Sequence, residues 1–227
     1  GDVADLCEDG CTITNRKGET VERPILYSRQ SVGAADRGEY RYFMQKEIHE
    51  QPRAVADTLE GRISGERVLE ETFGPQSPRL FKQTRAVQII ACGTSFHAGL
   101  VAKHWLEYIG IPCEVEVASE YRYRQHARRP GTLVVTISQS GETADTLAAL
   151  EEAKRQDIVG SMVICNVPES SLVRESDLTF ITHAGPEVGV AATKTFTTAM
   201  TGLILLALVL SRHHGFDKGF EAHVVRQ

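Results

Sequence analysis

Three short stretches bring hydroxyls and glycine together directly after apolar runs. They are Cys92-Gly93-Thr94-Ser95, Ser138-Gln139-Ser140-Gly141-Glu142-Thr143 and the segment from Gly185 to Thr195, which contains Gly189-Val190-Ala191-Ala192-Thr193-Lys194. Glycine lets a backbone approach a ligand closely. The N–H groups at the start of a helix donate to anionic oxygens, and Ser and Thr hydroxyls complete the shell, so this composition suits a phosphate group. The first two stretches hold no Lys or Arg, so an anion there rests on neutral donors and helix dipoles. Neither G-x-x-x-x-G-K-[ST] nor a G-x-G-x-x-G after the first apolar run is present, and a phosphate monoester on a small molecule fits better than a nucleotide. Ser and Thr at such positions also serve as plain helix caps, and Ser140, three residues before Thr143, has the spacing of one. Three similar loops on one edge of a sheet favour the ligand.

The elements that must position these loops can be read from periodicity. Apolar, β-branched runs at Ala86–Cys92, Cys113–Ala118, Leu133–Ile137, Ser161–Val167 and Leu178–Thr182 read as five strands. Helical patterns lie between or after them at Ser95–Tyr108, Glu142–Arg155 and Ala192–Arg212. This alternation predicts an α/β fold, a doubly wound five-stranded parallel sheet with helices on both faces. Ligands of such sheets bind beyond the carboxyl ends of the strands, where the three loops emerge. Ala199–Leu210 is apolar nearly all round and is expected to be buried. Upstream, residues 1–36 read as β-rich and too poor in large apolar residues to fold alone. From Asp36, read as an N-cap, a helical pattern with Tyr40, Phe43, Met44, Glu47 and Ile48 on one face runs to Gln51, where Pro52 is expected to end it. A second helical piece reaches about Ile63, and Ser64-Gly65 breaks it.

Composition narrows the class. The chain has 227 residues, 41% apolar and 24% charged, with 25 Lys and Arg against 30 Asp and Glu. That acidic balance argues against a nucleic-acid surface, and the Tyr121-Arg122-Tyr123-Arg124 to Arg129 patch reads as a solvated helix face. The apolar run Gly202–Leu210 is too short to cross a membrane. Five cysteines without a pairable framework read as free thiols in a reducing, cytoplasmic setting. His97, His104, His213 and His214 lack the spacing of metal ligands, so no metal and no cofactor is expected. The opening Gly1-Asp2-Val3-Ala4-Asp5-Leu6 reads as the middle of a strand, as in a fragment of a longer protein.

The three loops, taken with Ala144-Asp145-Thr146 after the second, resemble the sugar isomerase (SIS) domain family. Tyr42-Phe43-Met44-Gln45-Lys46-Glu47-Ile48-His49-Glu50-Gln51-Pro52 resembles the linker of glutamine–fructose-6-phosphate aminotransferases. The resemblance implies a Rossmann-like three-layer SIS fold over residues 71–227, a helical linker over 37–70, and over 1–36 the last strands of a glutaminase domain. It implies an enzyme, a homodimer, that moves ammonia from glutamine to fructose 6-phosphate and yields glucosamine 6-phosphate for amino-sugar synthesis. Carried over by position, Ser95, Ser138, Gln139, Ser140 and Thr143 hold the phosphate, while Thr94 and the backbone around Val190 touch the sugar. Position 192 is Ala where the family often has Ser, which removes one hydroxyl from the third loop.

The same resemblance implies that no catalytic residue lies in this chain. The family's glutaminase nucleophile is an N-terminal cysteine that Cys7 and Cys11 do not match. Its acid/base residues and imine-forming lysine belong to a second SIS domain and a C-terminal tail. Glu187, in the third loop, is the nearest thing to a positioned base, and helix or loop capping is its expected role. A sugar-phosphate-sensing module without catalysis, or a stand-alone sugar-phosphate isomerase, are the other readings. The β-like N-terminal segment counts against the first and the linker against the second.

Overall fold

The computed structural model describes residues 2–8, 10–24, 36–127, 129–217 and 219–227. The chain divides into two compact units, Gly1–Val32 and Gly33–Gln227. In the first, β1 (Val3–Cys7) and β2 (Gly10–Thr14) form an antiparallel hairpin in the register Val3 with Thr14 and Leu6 with Cys11. Cys11 stands opposite Leu6 and Cys7 opposite Gly10, so the two thiols point to opposite faces. An exposed Arg23–Asp2 ion pair at 2.7 Å ties the hairpin to the strand's continuation. Val3 and Leu6 are 71% and 77% exposed, so this unit buries little apolar surface.

The second unit is built on the expected parallel sheet. Its strands are β5 (Ala86–Ala91), β6 (Cys113–Val117), β7 (Thr132–Ser138), β8 (Gly160–Cys165) and β9 (Leu178–Ile181), in the order β6-β5-β7-β8-β9. The hairpin of the first unit lies outside it. Alternate residues feed two cores, as a period of two requires. Val87, Ile89, Leu133, Val135, Ile137, Met162 and Ile164 face one side. There they meet α2 (Ser77–Gln83), α3 (Gly93–Tyr108) and α7 (Lys194–His213). Ile90, Val134, Val163 and Cys165 face the other, against α4 (Ala118–Tyr121), α5 (Ala144–Lys154) and α6 (Ser171–Glu175). A short hairpin of β3 (Ile63–Ser64) and β4 (Arg67–Val68) and a terminal helix α8 (Phe220–Val225) complete the unit. The chain leaves β5 for β6 on one side and returns to β7 on the other. The carboxyl ends of β5 and β7 therefore flank the crevice where the strand order reverses.

Helix α7 is long and apolar enough to cross a membrane, with a mean hydropathy of 1.6, but 72% of that stretch is buried inside the protein. Its ends are fixed by charge. His213 lies 2.5 Å from Glu70 and Arg212 pairs with Glu221 at one end. Lys194 pairs with Glu50 at 2.6 Å at the other.

The linker departs from the sequence reading. Helix α1 spans Phe43–Leu59 with Tyr42, not Asp36, as its N-cap, and Pro52 lies inside it. Proline has no N–H to give the carbonyl four residues back. The Gln51 side-chain amide donates to that carbonyl, Ile48 O, at 3.0 Å, so the acceptor is satisfied and the helix continues to Leu59. The expected apolar face is also turned. Met44 and Ile48 are exposed, whereas Glu47, Ala54 and Thr58 are buried, and α1 packs on α7. Pro52→Ala supplies a backbone donor to Ile48 O in place of the Gln51 amide. The variant should gain about 1–2 kcal/mol: a propensity difference of about 3, less about 0.4–1 for lost unfolded-state restriction and about 1 for the Gln51 bond it displaces. Denaturant unfolding measures this, and no gain would mean that the proline's shape is needed where α1 meets α7.

Candidate sugar-phosphate site

The first loop leaves β5 at Ala91 and enters α3 at Gly93; the second leaves β7 at Ser138 and enters α5 at Ala144. Thr94, Ser95, Ser138 and Gln139 line a cleft of about 40 Å³ together with Asn166, Thr182 and Ala192. Ser95, Ser138 and Gln139 also line an adjoining cleft of about 170 Å³ with Ser140 and Thr143. Six of the seven residues singled out in the sequence thus meet at one edge of the sheet. Val190 does not; its side chain is fully exposed and lines neither cleft. No Lys or Arg lines either cleft.

The hydroxyls are not used up as helix caps. Neither Cys92, the N-cap of α3, nor Thr143, the N-cap of α5, makes a side-chain cap bond. The first-turn N–H groups of both helices have no acceptor within the helix and lie at the positive end of its dipole. Ser138 Oγ accepts from Gly141 N at 3.0 Å and shares a hydrogen with Thr143 Oγ1 at 3.1 Å. A hydroxyl has one proton and two lone pairs. Ser138 can therefore donate to Thr143 and leave the Thr143 proton free for an anion. Ser140 Oγ accepts from Glu142 N at 3.2 Å, closing a turn rather than capping α5, and keeps its own proton. Gly141 permits this turn for two reasons. Its φ is +68°, and a Cβ there would lie 2.0 Å from Ser170 Oγ. Glu142 turns away and accepts from Ser171 N at 2.7 Å at the start of α6. That backbone bond holds its carboxyl below the usual range. Burial pushes the nearby Cys165 thiol up.

The third loop is built differently, and several of its backbone donors are already taken. Glu187 Oε1 accepts from Thr193 N at 2.8 Å and Thr195 N at 3.3 Å, and Thr195 Oγ1 also donates to this carboxylate. It caps α7, as expected of it. Glu47, from α1, accepts from Val188 N at 2.6 Å and Gly189 N at 3.1 Å. Lys194 is held by Glu50. Four N–H groups of the third loop, those of Val188, Gly189, Thr193 and Thr195, are thus matched by the protein's own carboxylates, which sets it apart from the loops after β5 and β7. Asn166 is a further residue that the sequence reading passed over. Its Oδ1 accepts from Ala184 N and Thr182 Oγ1, and its Nδ2 donates to Gly185 O. The signal was a polar residue closing the apolar run of β8.

Cavities of about 220 and 460 Å³ lie elsewhere. In the first, Arg124 pairs with Glu116 and Arg129 with Glu114; in the second, Arg212 pairs with Glu221. The Tyr121–Arg129 stretch is not the solvated helix face expected: α4 ends at Tyr121, which is buried, and beyond it Arg122, Arg124 and Arg129 pair with Asp145, Glu116 and Glu114.

A family model described as the SIS domain matches residues 80–209. The chain belongs to the SIS domain family. The matched SIS segment contains both phosphate-type loops and the third loop. Glutamine–fructose-6-phosphate aminotransferase [isomerizing] of Pseudomonas putida is 55% identical over 229 residues, covering 100% of this chain and 38% of that protein. The enzyme of the same name from Idiomarina loihiensis is 51% identical over 226 residues, covering 99% and 37%. The chain thus spans less than two-fifths of the length of these relatives. A solved structure, the C-terminal domain of glucosamine-fructose-6-phosphate aminotransferase from Francisella tularensis, superposes with a TM-score of 0.82. It is 46% identical and covers 85% of this chain and 54% of that one.

Two consequences of this geometry are measurable. Gly141→Ala meets both a left-handed backbone and Ser170. It should destabilise the protein by more than the roughly 1–2 kcal/mol of the backbone term alone, as read by denaturant unfolding. Burial alone would raise the Glu50 pKa, but its bond to Lys194 and the charges of Lys194 and Lys46 outweigh this and hold it below its ordinary 4.5. A carboxylate with a depressed folded pKa stabilises fully above its unfolded value and loses that contribution as pH falls through the folded one. The stability gap between wild type and Glu50→Gln should be constant above about pH 5 and close below 4.5. A gap that persists into strong acid would show that the ion pair contributes nothing.

Proposed function

We propose that this chain is the fructose-6-phosphate-binding part of an enzyme that transfers glutamine-derived ammonia to fructose 6-phosphate and releases glucosamine 6-phosphate. The observation that carries the reading is the pairing of two helix N-termini, neither capped by its own side chain, with four hydroxyls from Ser95, Ser138, Ser140 and Thr143 at one crevice. The names of the relatives support it. The parent is read as a glutamine–fructose-6-phosphate transaminase with no catalytic residue in this chain. Residues 1–36 are read as the end of a glutaminase domain, 37–70 as a linker and 71–227 as a first SIS domain. The parent is likewise read as a cytoplasmic homodimer.

In this reading the chain binds and orients, and the chemistry happens on the sugar beyond it. The phosphate dianion sheds water and regains donors from the first turns of α3 and α5, from Ser95 and Ser140, and from Thr143 braced by Ser138. The sugar carbon chain then extends toward Thr94 and the third loop. A hydroxyl that bonds a charged group contributes about 1.5–3 kcal/mol, roughly ten- to a hundredfold in affinity. Calorimetry on the full-length enzyme should show the Ser140→Ala/Thr143→Ala variant losing most of its fructose 6-phosphate affinity, with the feeble binding of fructose unchanged. Wild-type affinity in that variant would mean that the hydroxyls only shape the turn.

A further inference from the structure

Glu47 is a carboxylate on the buried face of the linker helix, 2% exposed. Among the described residues its hydrogen bonds all come from the third loop, from Val188 N and Gly189 N. A Cβ at Gly189 would lie 2.5 Å from Glu47 Oε2, so the loop is shaped to admit this side chain. Asn166 fixes the loop at Ala184 and Gly185, and Glu187 fixes it at Thr193 and Thr195. Val190–Ala192 is the stretch between the last two anchors, and Ala192 lines the cleft beside Thr94 and Ser95. The phosphate-type loops make no bond to Glu47. Its influence therefore falls on the sugar side of the site.

We propose that Glu47 is a positioning residue for the sugar, setting where Val190–Ala192 stands against the bound substrate while leaving the phosphate cradle untouched. The proposal rests on the fructose 6-phosphate reading above. It also makes the position of α1 something the site feels, because withdrawing α1 withdraws the acceptor that holds residues 188–189. Misplacing a substrate-facing loop by an ångström is enough to cost binding of the part it touches.

The test separates the two halves of the ligand. Fructose 6-phosphate and inorganic phosphate are titrated into the full-length wild-type enzyme and into Glu47→Gln and Glu47→Ala. The glutamine side chain keeps one acceptor and turns an amide donor toward Gly189 N–H. Fructose 6-phosphate affinity should fall about tenfold in Glu47→Gln, the loss expected for a weakened bond to a charged group, and further in Glu47→Ala. Inorganic phosphate affinity should stay within about twofold of wild type, since hydroxyls and helix ends that Glu47 does not touch hold it. Hydrogen exchange should show the Val188 and Gly189 amides losing protection in step. An equal loss for both ligands would overturn the proposal and make Glu47 a general support of the fold. Unchanged fructose 6-phosphate affinity would overturn it while leaving the site intact. If Glu47→Ala does not fold, the Gln variant decides alone. A wild-type enzyme that binds phosphate but not fructose 6-phosphate would remove the functional reading and this proposal with it.

Discussion

A helix begins with N–H groups that its own backbone cannot satisfy, and a parallel sheet gathers several such beginnings at one edge. This constraint orders the second unit. At α6 the need is met by Glu142, at α7 by Glu187, and at the turn before α7 by Glu47. The protein supplies its own anions there. At α3 and α5 the N-cap side chains supply none, and the surrounding side chains are hydroxyls that can donate as well as accept. Among the four helices α3, α5, α6 and α7, the two left without a carboxylate at their starts are α3 and α5, and the clefts lined by hydroxyls lie between them.

That arrangement depends on the sheet holding the helix ends still. Each central strand is buried on both faces, and α7 is buried along most of its length. Charge fixes what burial cannot. Lys194 sits at the start of α7, where the dipole disfavours a cation, and Glu50 offsets this from the neighbouring helix. The linker helix is therefore part of the site's frame, and Gln51, by covering the carbonyl that Pro52 leaves bare, keeps it one helix.

The sheet was legible in the sequence because five apolar runs alternate with helical patterns, and strand ends agree with the reading to within two residues. The two phosphate-type loops were legible because glycine and hydroxyls sit directly after β5 and β7. Two things were hidden. Pro52 reads as a stop, and only the structure shows the Gln51 amide replacing the missing donor. Glu47 fell within an apolar spacing with Met44 and Ile48, which suggests a face toward the core. The helix is rotated instead, so the acid is buried, where it accepts from Val188 N and Gly189 N, and the apolar pair is exposed. A carboxylate on an otherwise apolar stripe was the available clue.

The distribution of charge also divides the labour among the loops. A free lysine in the third loop would compete for the phosphate as a point charge. Lys194 cannot do so, since it is buried and bonded to Glu50. The exposed part of the loop, Val190–Ala192, offers backbone groups and small side chains, which suit uncharged hydroxyls better than a dianion. In the function proposed above, neutral donors on helix ends hold the charged end of the ligand, and a loop with its one cation neutralised faces the uncharged end. Under that proposal, reversing the ligand would place a dianion near Glu187 and Glu47 and strip it of its helix-end donors, so the three carboxylates Glu47, Glu50 and Glu187 would favour one direction for a sugar phosphate.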